Sequence, residues 1–82
     1  MLACDQHDFI EIACMYHLKV VLQLKTGAIV TGIAHNISLN NRRDECLQII
    51  KSNKIQENVL LTDISSMSAK TINPHFEVVN FI

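Results

Sequence analysis

The stretch "VVLQLKTGAIVTGIA" (20–34) decides the fold, because its apolar residues alternate with other residues on both sides of a glycine turn. The alternation begins at Leu18 and predicts a strand over 18–25 with one apolar face. Gly27 can take the positive φ that a hairpin turn requires, so 28–37 is predicted as the return strand. Gly32, in the middle of that strand, suggests a bend or bulge that curls a small sheet.

Upstream of the hairpin, the apolar residues change to a helical period. Asp5 is predicted to cap a helix over 6–17, with the carboxylate of Asp8 close to the positive helix end. The residues predicted to pack on the sheet are Phe9, Ile12, Ala13 and Tyr16. The polar face is predicted to carry His7, Asp8, Glu11, Cys14 and Met15. This segment is therefore an amphipathic helix of about three turns.

Downstream of the hairpin, short apolar segments predict further strands. These strands are expected at 46–52, 59–64 and 76–82, with a polar loop over 38–45 and a crossover over 65–75. The sequence thus predicts a mainly β protein with one N-terminal α-helix, and a small bent five-stranded sheet or barrel. We expect a single domain over 1–82, because chains of this length form one small core.

The composition favours a folded protein without a strong charge. Hydrophobic residues make up 49% of the 82 residues, and 7 basic against 8 acidic residues give a formal charge of −1. Nucleic-acid binders usually carry a basic surplus, so direct binding of nucleic acid is not expected. No apolar run approaches the roughly 20 residues that span a bilayer, and no signal-peptide pattern begins the chain. We therefore expect no membrane association and a cytoplasmic protein whose three cysteines stay reduced.

Two Cys-x-x-His pairs, at Cys4 and His7 and at Cys14 and His17, resemble a four-ligand zinc set. The pairs are ten residues apart, which is about 15 Å along a helix. Tetrahedral zinc needs all four donor atoms within about 2.3 Å, so the two pairs cannot converge on one ion. We predict neither a metal site nor a cofactor.

Catalysis is not expected either. A nucleophile needs an adjacent base and an oxyanion donor, and no motif in the chain assembles them. The sequence also contains no glycine-rich phosphate loop. The chain is therefore predicted not to be an enzyme.

Charged residues on the helix and on one loop are the candidates for a binding role. Asp5, Asp8 and Glu11 are either ordinary capping and solvated side chains, or an acidic face that meets a basic partner through charge-assisted bonds. Arg42 and Arg43 either keep a turn soluble, or contact a phosphate or a carboxylate of a partner. The near-neutral total charge favours a protein partner over RNA.

Two resemblances to known families follow from these segments. The 20–34 hairpin is similar to the first Sm motif, which implies an Sm-like fold. Four longer stretches resemble the Rho-binding antiterminator family (Rof/YaeO): "CDQHDFIEIACMYHLKVVLQLKTG" (4–27), "RRDECLQI" (42–49), "DISSMSA" (63–69) and "NPHF" (73–76). The resemblance implies an inhibitor of Rho-dependent transcription termination, which binds the N-terminal OB-like RNA-binding domain of Rho and blocks RNA access.

The resemblance also implies which residues contact the partner. Carried over position by position, they are Asp5, Gln6, His7, Asp8 and Glu11 on the helix, and Asn41, Arg42 and Arg43 on the loop. Gln6 replaces an acidic residue, and His7 an aromatic residue, that some relatives have. The alternative function is an Sm-like RNA-binding protein that acts through a 36–43 loop, although the usual Sm RNA-binding residues are not matched there. We expect a monomer, with a dimer through an unpaired edge strand as the alternative.

Overall fold

The computed structural model describes residues 4–70 and 77–81, with side chains from His7 onward. Within these ranges the chain forms one α-helix, six β-strands and a short 3₁₀ turn at Leu61–Asp63. The elements are α1 (Cys4–Met15), β1 (Lys19–Leu24), β2 (Ile29–Leu39), β3 (Glu45–Ile50), β4 (Gln56–Leu60), β5 (Ile64–Ala69) and β6 (Val78–Asn80). The strands form one antiparallel sheet in the order β4-β3-β2-β1-β5-β6. The predicted mainly β fold with an N-terminal helix is confirmed.

The hairpin that the sequence predicted is formed by β1 and β2. Val20 lies opposite Gly32 and Leu22 lies opposite Val30, so the apolar side chains of both strands share the buried face. Gly27 has a φ of 94°, and the amide of Leu24 donates to the carbonyl of Ala28 at 2.9 Å to close the turn. The requirement for a positive φ at Gly27 is therefore confirmed.

Gly32 has a packing role instead of the predicted bulge. A Cβ at this position would lie 2.5 Å from Ile49 Cγ2 and 2.5 Å from the carbonyl oxygen of Ile50, so a larger residue would displace β3. The bulge occurs slightly later, between Ala34 and Asn36. The glycine permits two strands to approach closely, while the extra residue bends β2.

The sequence prediction was wrong at the C-terminal half of the sheet. Part of the predicted 65–75 crossover forms β5, which pairs with β1 and buries Ile64 and Met67. The sequence did not indicate this strand, because three of its six residues are serines. These serines lie on the pleated surface of the sheet all the same. The sheet consequently has six strands and not five.

Several predicted boundaries also shift. The observed strand β4 and the 3₁₀ turn replace the strand predicted over 59–64. Strand β3 replaces the strand predicted over 46–52, and β2 extends beyond the predicted end at residue 37 to Leu39. Of the strand predicted over 76–82, the structure describes 77–81, and β6 accounts for three of these residues. Residues 71–75 of the predicted crossover lie outside the described residues.

The helix packs on the sheet through a face rotated from the predicted one. Ile10 and Ala13 are completely buried, and Phe9 and Cys14 are partly buried against the core. Tyr16, predicted to pack, is 54% exposed. The error has a physical origin: apolar residues cover a wide arc of this helix, so the 100° period alone cannot select which part of the arc meets β2.

The helix ends are also displaced from the prediction. Because α1 begins at Cys4, Asp5 lies in its first turn and not at the N-cap. At the other end, the amides of His17 and Leu18 donate to the carbonyls of Cys14 and Ala13 at 3.2 and 2.9 Å. This pair of bonds is a Schellman motif, with His17 at the left-handed position where glycine is preferred.

No helix within residues 4–70 and 77–81 has the length and hydropathy needed to cross a bilayer.

Candidate functional site

His7 connects the helix to the sheet through both of its ring nitrogens. Nδ1 lies 3.2 Å from Glu11 Oε1, one turn further along α1, and Nε2 lies 3.0 Å from Glu45 Oε2 at the start of β3. An imidazole can donate from both nitrogens only when it is protonated, so these two contacts together favour the imidazolium form. We call this arrangement of His7, Glu11 and Glu45 the His7 clasp.

The surroundings of His7 stabilise its charge. The hydrogen bond to Glu45 raises the pKa of His7 above its ordinary value, partial burial opposes this, and the charges of Glu45, Glu11 and Asp8 raise it further. The imidazole is partly buried, while the side chains of Glu11 and Glu45 remain about half exposed. Both carboxylates therefore hold His7 and are still accessible from solvent.

The predicted acidic face is exposed where the structure describes it. Asp8 and Glu11 are both exposed on α1. The side chains of Asp5 and Gln6 lie outside the described residues. The sequence-predicted acidic helix face thus includes at least these two accessible carboxylates.

The loop between β2 and β3 is a compact turn over 40–44 built around Asn40. The Oδ1 atom of Asn40 accepts hydrogen bonds from the amides of Arg42 and Asp44, at 2.8 and 2.9 Å. The backbone of Asn40 also pairs with Asp44, and Arg43 takes a positive φ of 63°. These bonds fix the backbone of the turn, while the predicted contact residues Asn41, Arg42 and Arg43 remain exposed.

The structure brings the two predicted parts of the partner surface together. Glu45 directly follows the 40–44 turn and contacts His7 in the second turn of α1. The acidic helix face and the basic turn are consequently neighbours, although 38 residues separate His7 from Glu45. We call Asp8, Glu11, Glu45 and the 40–44 turn the helix–turn surface.

Sequence reasoning missed Asn40 and Glu45. Asn40 had a recognisable signal, because an asparagine that opens a polar turn often accepts bonds from the backbone amides that follow it. Glu45 had no local signal, since its partner lies on a different element far away in the chain. The alternative RNA-binding loop at 36–43 was also placed wrongly, because residues 36–39 belong to β2.

A shallow groove of about 310 Å³ lies between α1 and the bulged part of β2. It is lined by Glu11, Cys14, Met15, His35, Asn36 and Ile37. Burial, followed by the charge of Glu11, raises the pKa of Cys14 to about 11, so this thiol stays protonated at neutral pH and is a poor nucleophile.

The described cysteines and histidines do not assemble a metal centre. Cys14 and Cys46 are free thiols. His7 lies within α1, whereas His17 follows the end of that helix. Among the side chains that the structure describes, no three of the His, Cys, Asp and Glu residues are arranged to hold a metal ion. Cys4, from the first Cys-x-x-His pair, has its side chain outside that part.

Comparisons with known proteins show a family match and a solved structure of closely similar fold. A family model described as modulator of Rho-dependent transcription termination (ROF) matches residues 1–81. The chain is also similar to a solved structure of YaeO bound to magnesium, from Vibrio cholerae O395, with 33% sequence identity and a TM-score of 0.87. That similarity covers 92% of this chain and 96% of the other. No curated protein sequence matches the chain.

Proposed function

Because the chain belongs to the family of modulators of Rho-dependent transcription termination, we propose that it inhibits this termination by occupying Rho. It binds the N-terminal RNA-binding domain of Rho and blocks the access of RNA. The observation that carries the proposal is the helix–turn surface, where the contact from His7 to Glu45 joins the helix that exposes Asp8 and Glu11 to the residue that follows the basic 40–44 turn. The family resemblance read from the sequence is confirmed by the family match.

The chemistry of this surface suits an RNA-binding partner. A site on Rho that holds RNA phosphates must present cationic side chains, and carboxylates on a folded helix can form charge-assisted bonds with the same groups. Arg42 and Arg43 then contact acidic or polar groups next to that site. Because the groups on this surface are exposed, the binding weakens with added salt, which screens charges beyond about 8 Å at physiological ionic strength.

The proposed role is binding without catalysis, and it requires no cofactor and no direct contact with nucleic acid. Rho is the partner, and the chain acts as a monomer in the bacterial cytoplasm, where termination takes place.

The test is reversal of the helix charges in Asp8→Lys with Glu11→Lys. Both side chains are exposed, so we expect the variant to stay folded, with the same circular dichroism spectrum as the parent. Its affinity for Rho should fall by at least about tenfold. The measurement is displacement of a short C-rich RNA from Rho, followed by fluorescence anisotropy.

The matched control is Glu57→Lys with Glu77→Lys, which changes the total charge equally. Glu57 pairs with Lys51 at the end of β3 opposite to Glu45, and Glu77 precedes β6. The control should displace RNA as the parent does. Parent-like displacement by the helix variant would refute the helix–turn surface, and direct binding of the RNA by the chain alone would favour the RNA-binding alternative.

A further inference from the structure

We propose that His7 is a positioning residue of the helix–turn surface, which fixes α1 relative to the 40–44 turn by joining Glu11 to Glu45. This inference rests on the proposed function, because it concerns the geometry of the surface that meets Rho. The resemblance made His7 a contact residue, whereas the structure occupies both of its ring nitrogens within the chain.

The helix and the 40–44 turn are separate elements, which the contact from His7 to Glu45 joins. Apart from the His7 clasp, α1 packs on the core through the buried Ile10 and Ala13 and the partly buried Phe9 and Cys14. Apolar packing is not directional, so it leaves the rotation and tilt of the exposed first turns weakly determined. The hydrogen bond from His7 to Glu45 at 3.0 Å is directional, and it ties these turns to the residue that follows the 40–44 turn.

His7 also restrains the orientation of Glu11. One of its oxygens lies 3.2 Å from His7 Nδ1, while the side chain remains about half exposed. His7 therefore restricts the rotamers of a carboxylate that is still accessible to a partner. Restricting a binding group before it meets its partner reduces the entropy lost on association.

If His7 acted only through its charge, its removal would strengthen binding to Rho. The imidazolium reduces the negative potential of Asp8, Glu11 and Glu45, so its removal should strengthen attraction to a basic partner if charge alone mattered. Positioning predicts the reverse, that removal weakens binding. The sign of the change thus separates the two roles.

The test uses His7→Gln, Glu45→Gln and the double variant in the same RNA-displacement measurement with Rho. Each single variant removes the charge-assisted bond between His7 and Glu45, so each should weaken binding by roughly fivefold. The double variant should bind no more weakly than the single ones, because both changes remove one shared interaction. Glu57→Gln, which breaks an ion pair at the other end of β3, is the matched control and should bind as the parent does.

A pH series supplies a readout that a general loss of stability would not give. The groups that face His7 are Glu11 and Asp8 from α1 and Glu45 from β3. The imidazolium form makes both bonds, so the clasp is complete below the raised pKa of His7 and is lost as pH rises through it. The ratio of parent to His7→Gln affinities should therefore fall from about pH 6 to about pH 8.5, and this ratio cancels the titration of Rho itself.

Titration of the isolated chain by proton NMR tests the clasp without Rho. His7 should titrate above an ordinary histidine, and Glu45→Gln should lower its pKa. The proposal is overturned if His7→Gln binds Rho as tightly as the parent or more tightly, if the two single effects add, or if Glu45→Gln leaves the titration unchanged. If instead the parent chain fails to displace RNA from Rho, the proposed function is refuted, while the NMR titration still reports on the clasp.

Discussion

His17 shows how a single residue can hold an unfavourable backbone conformation within a stable helix end. It occupies the left-handed position of the Schellman motif with a φ of 50°, and its ring stacks on His35 with the centroids 5.7 Å apart. A residue with a side chain loses about 1–2 kcal/mol in this conformation. The two bonds of the motif and the burial of Leu18 after it compensate for that loss.

Replacement of His17 by glycine should therefore stabilise the fold. The free energy gained by relieving the strain exceeds the entropic cost of ordering a glycine on folding. His17→Gly is therefore expected to raise the free energy of unfolding by about 0.5–1 kcal/mol. Urea unfolding measures the change. His17→Ala is the control, since it removes the stacked ring but keeps the strained φ, and it should give no gain. A loss of stability in His17→Gly would show that the His17–His35 stack outweighs the strain.

At the scale of elements, the 40–44 turn is organised by one side chain. Asn40 accepts two backbone hydrogen bonds and so fixes a turn whose exposed tip carries Arg42 and Arg43. The turn over 51–55 has a related device, in which Asn53 Oδ1 accepts from the amide of Ile55 at 3.1 Å. The two turns lie at opposite ends of β3. The same asparagine-to-alanine substitution can therefore be made inside and outside the proposed surface.

Asn40→Ala should reduce both stability and binding to Rho. The loss of two exposed hydrogen bonds is expected to cost about 1–2 kcal/mol in the free energy of unfolding, measured with urea. Affinity should also fall, because the arginines lose their fixed backbone. Asn53→Ala should lower stability, by a smaller amount, and leave the affinity unchanged. Equal affinities for the two variants would mean that the turn conformation does not matter for Rho.

The sequence predicted the elements whose patterns are local. The hairpin at 20–34 combined strict alternation with a glycine turn, and both strands formed as expected. By contrast, β5 was missed because its serines broke the apolar alternation, and its partners on β1 are at least 40 residues away. For the same reason Asp8, Glu11 and the arginines could be proposed from the sequence, whereas the link through Glu45 could not.

At the scale of the whole molecule, attachment of the helix to the sheet maintains the proposed surface. Ile10 is completely buried, while Ile12, which the sequence placed on the packing face, is only partly buried. In a domain this small, one such side chain contributes a large share of the total stability.

Truncation of these two isoleucines should distinguish the observed helix face from the predicted one. Ile10→Ala is expected to lower the free energy of unfolding by about 2–5 kcal/mol, because it leaves a cavity between α1 and the sheet. Ile12→Ala should cost clearly less. Urea unfolding of both variants checks the order, and a larger effect at Ile12 would contradict the helix orientation described above.

The distance along the chain between His7 and Glu45 has a consequence for folding. A helix of 12 residues is marginal by itself in water, so α1 becomes stable only when it has the sheet to pack on. During synthesis, the helix residues leave the ribosome before β2 and β3, so α1 is fixed in place only after those strands have emerged. The nascent chain consequently cannot present the helix–turn surface until β3 has emerged, so the binding that we propose becomes possible only with the tertiary structure.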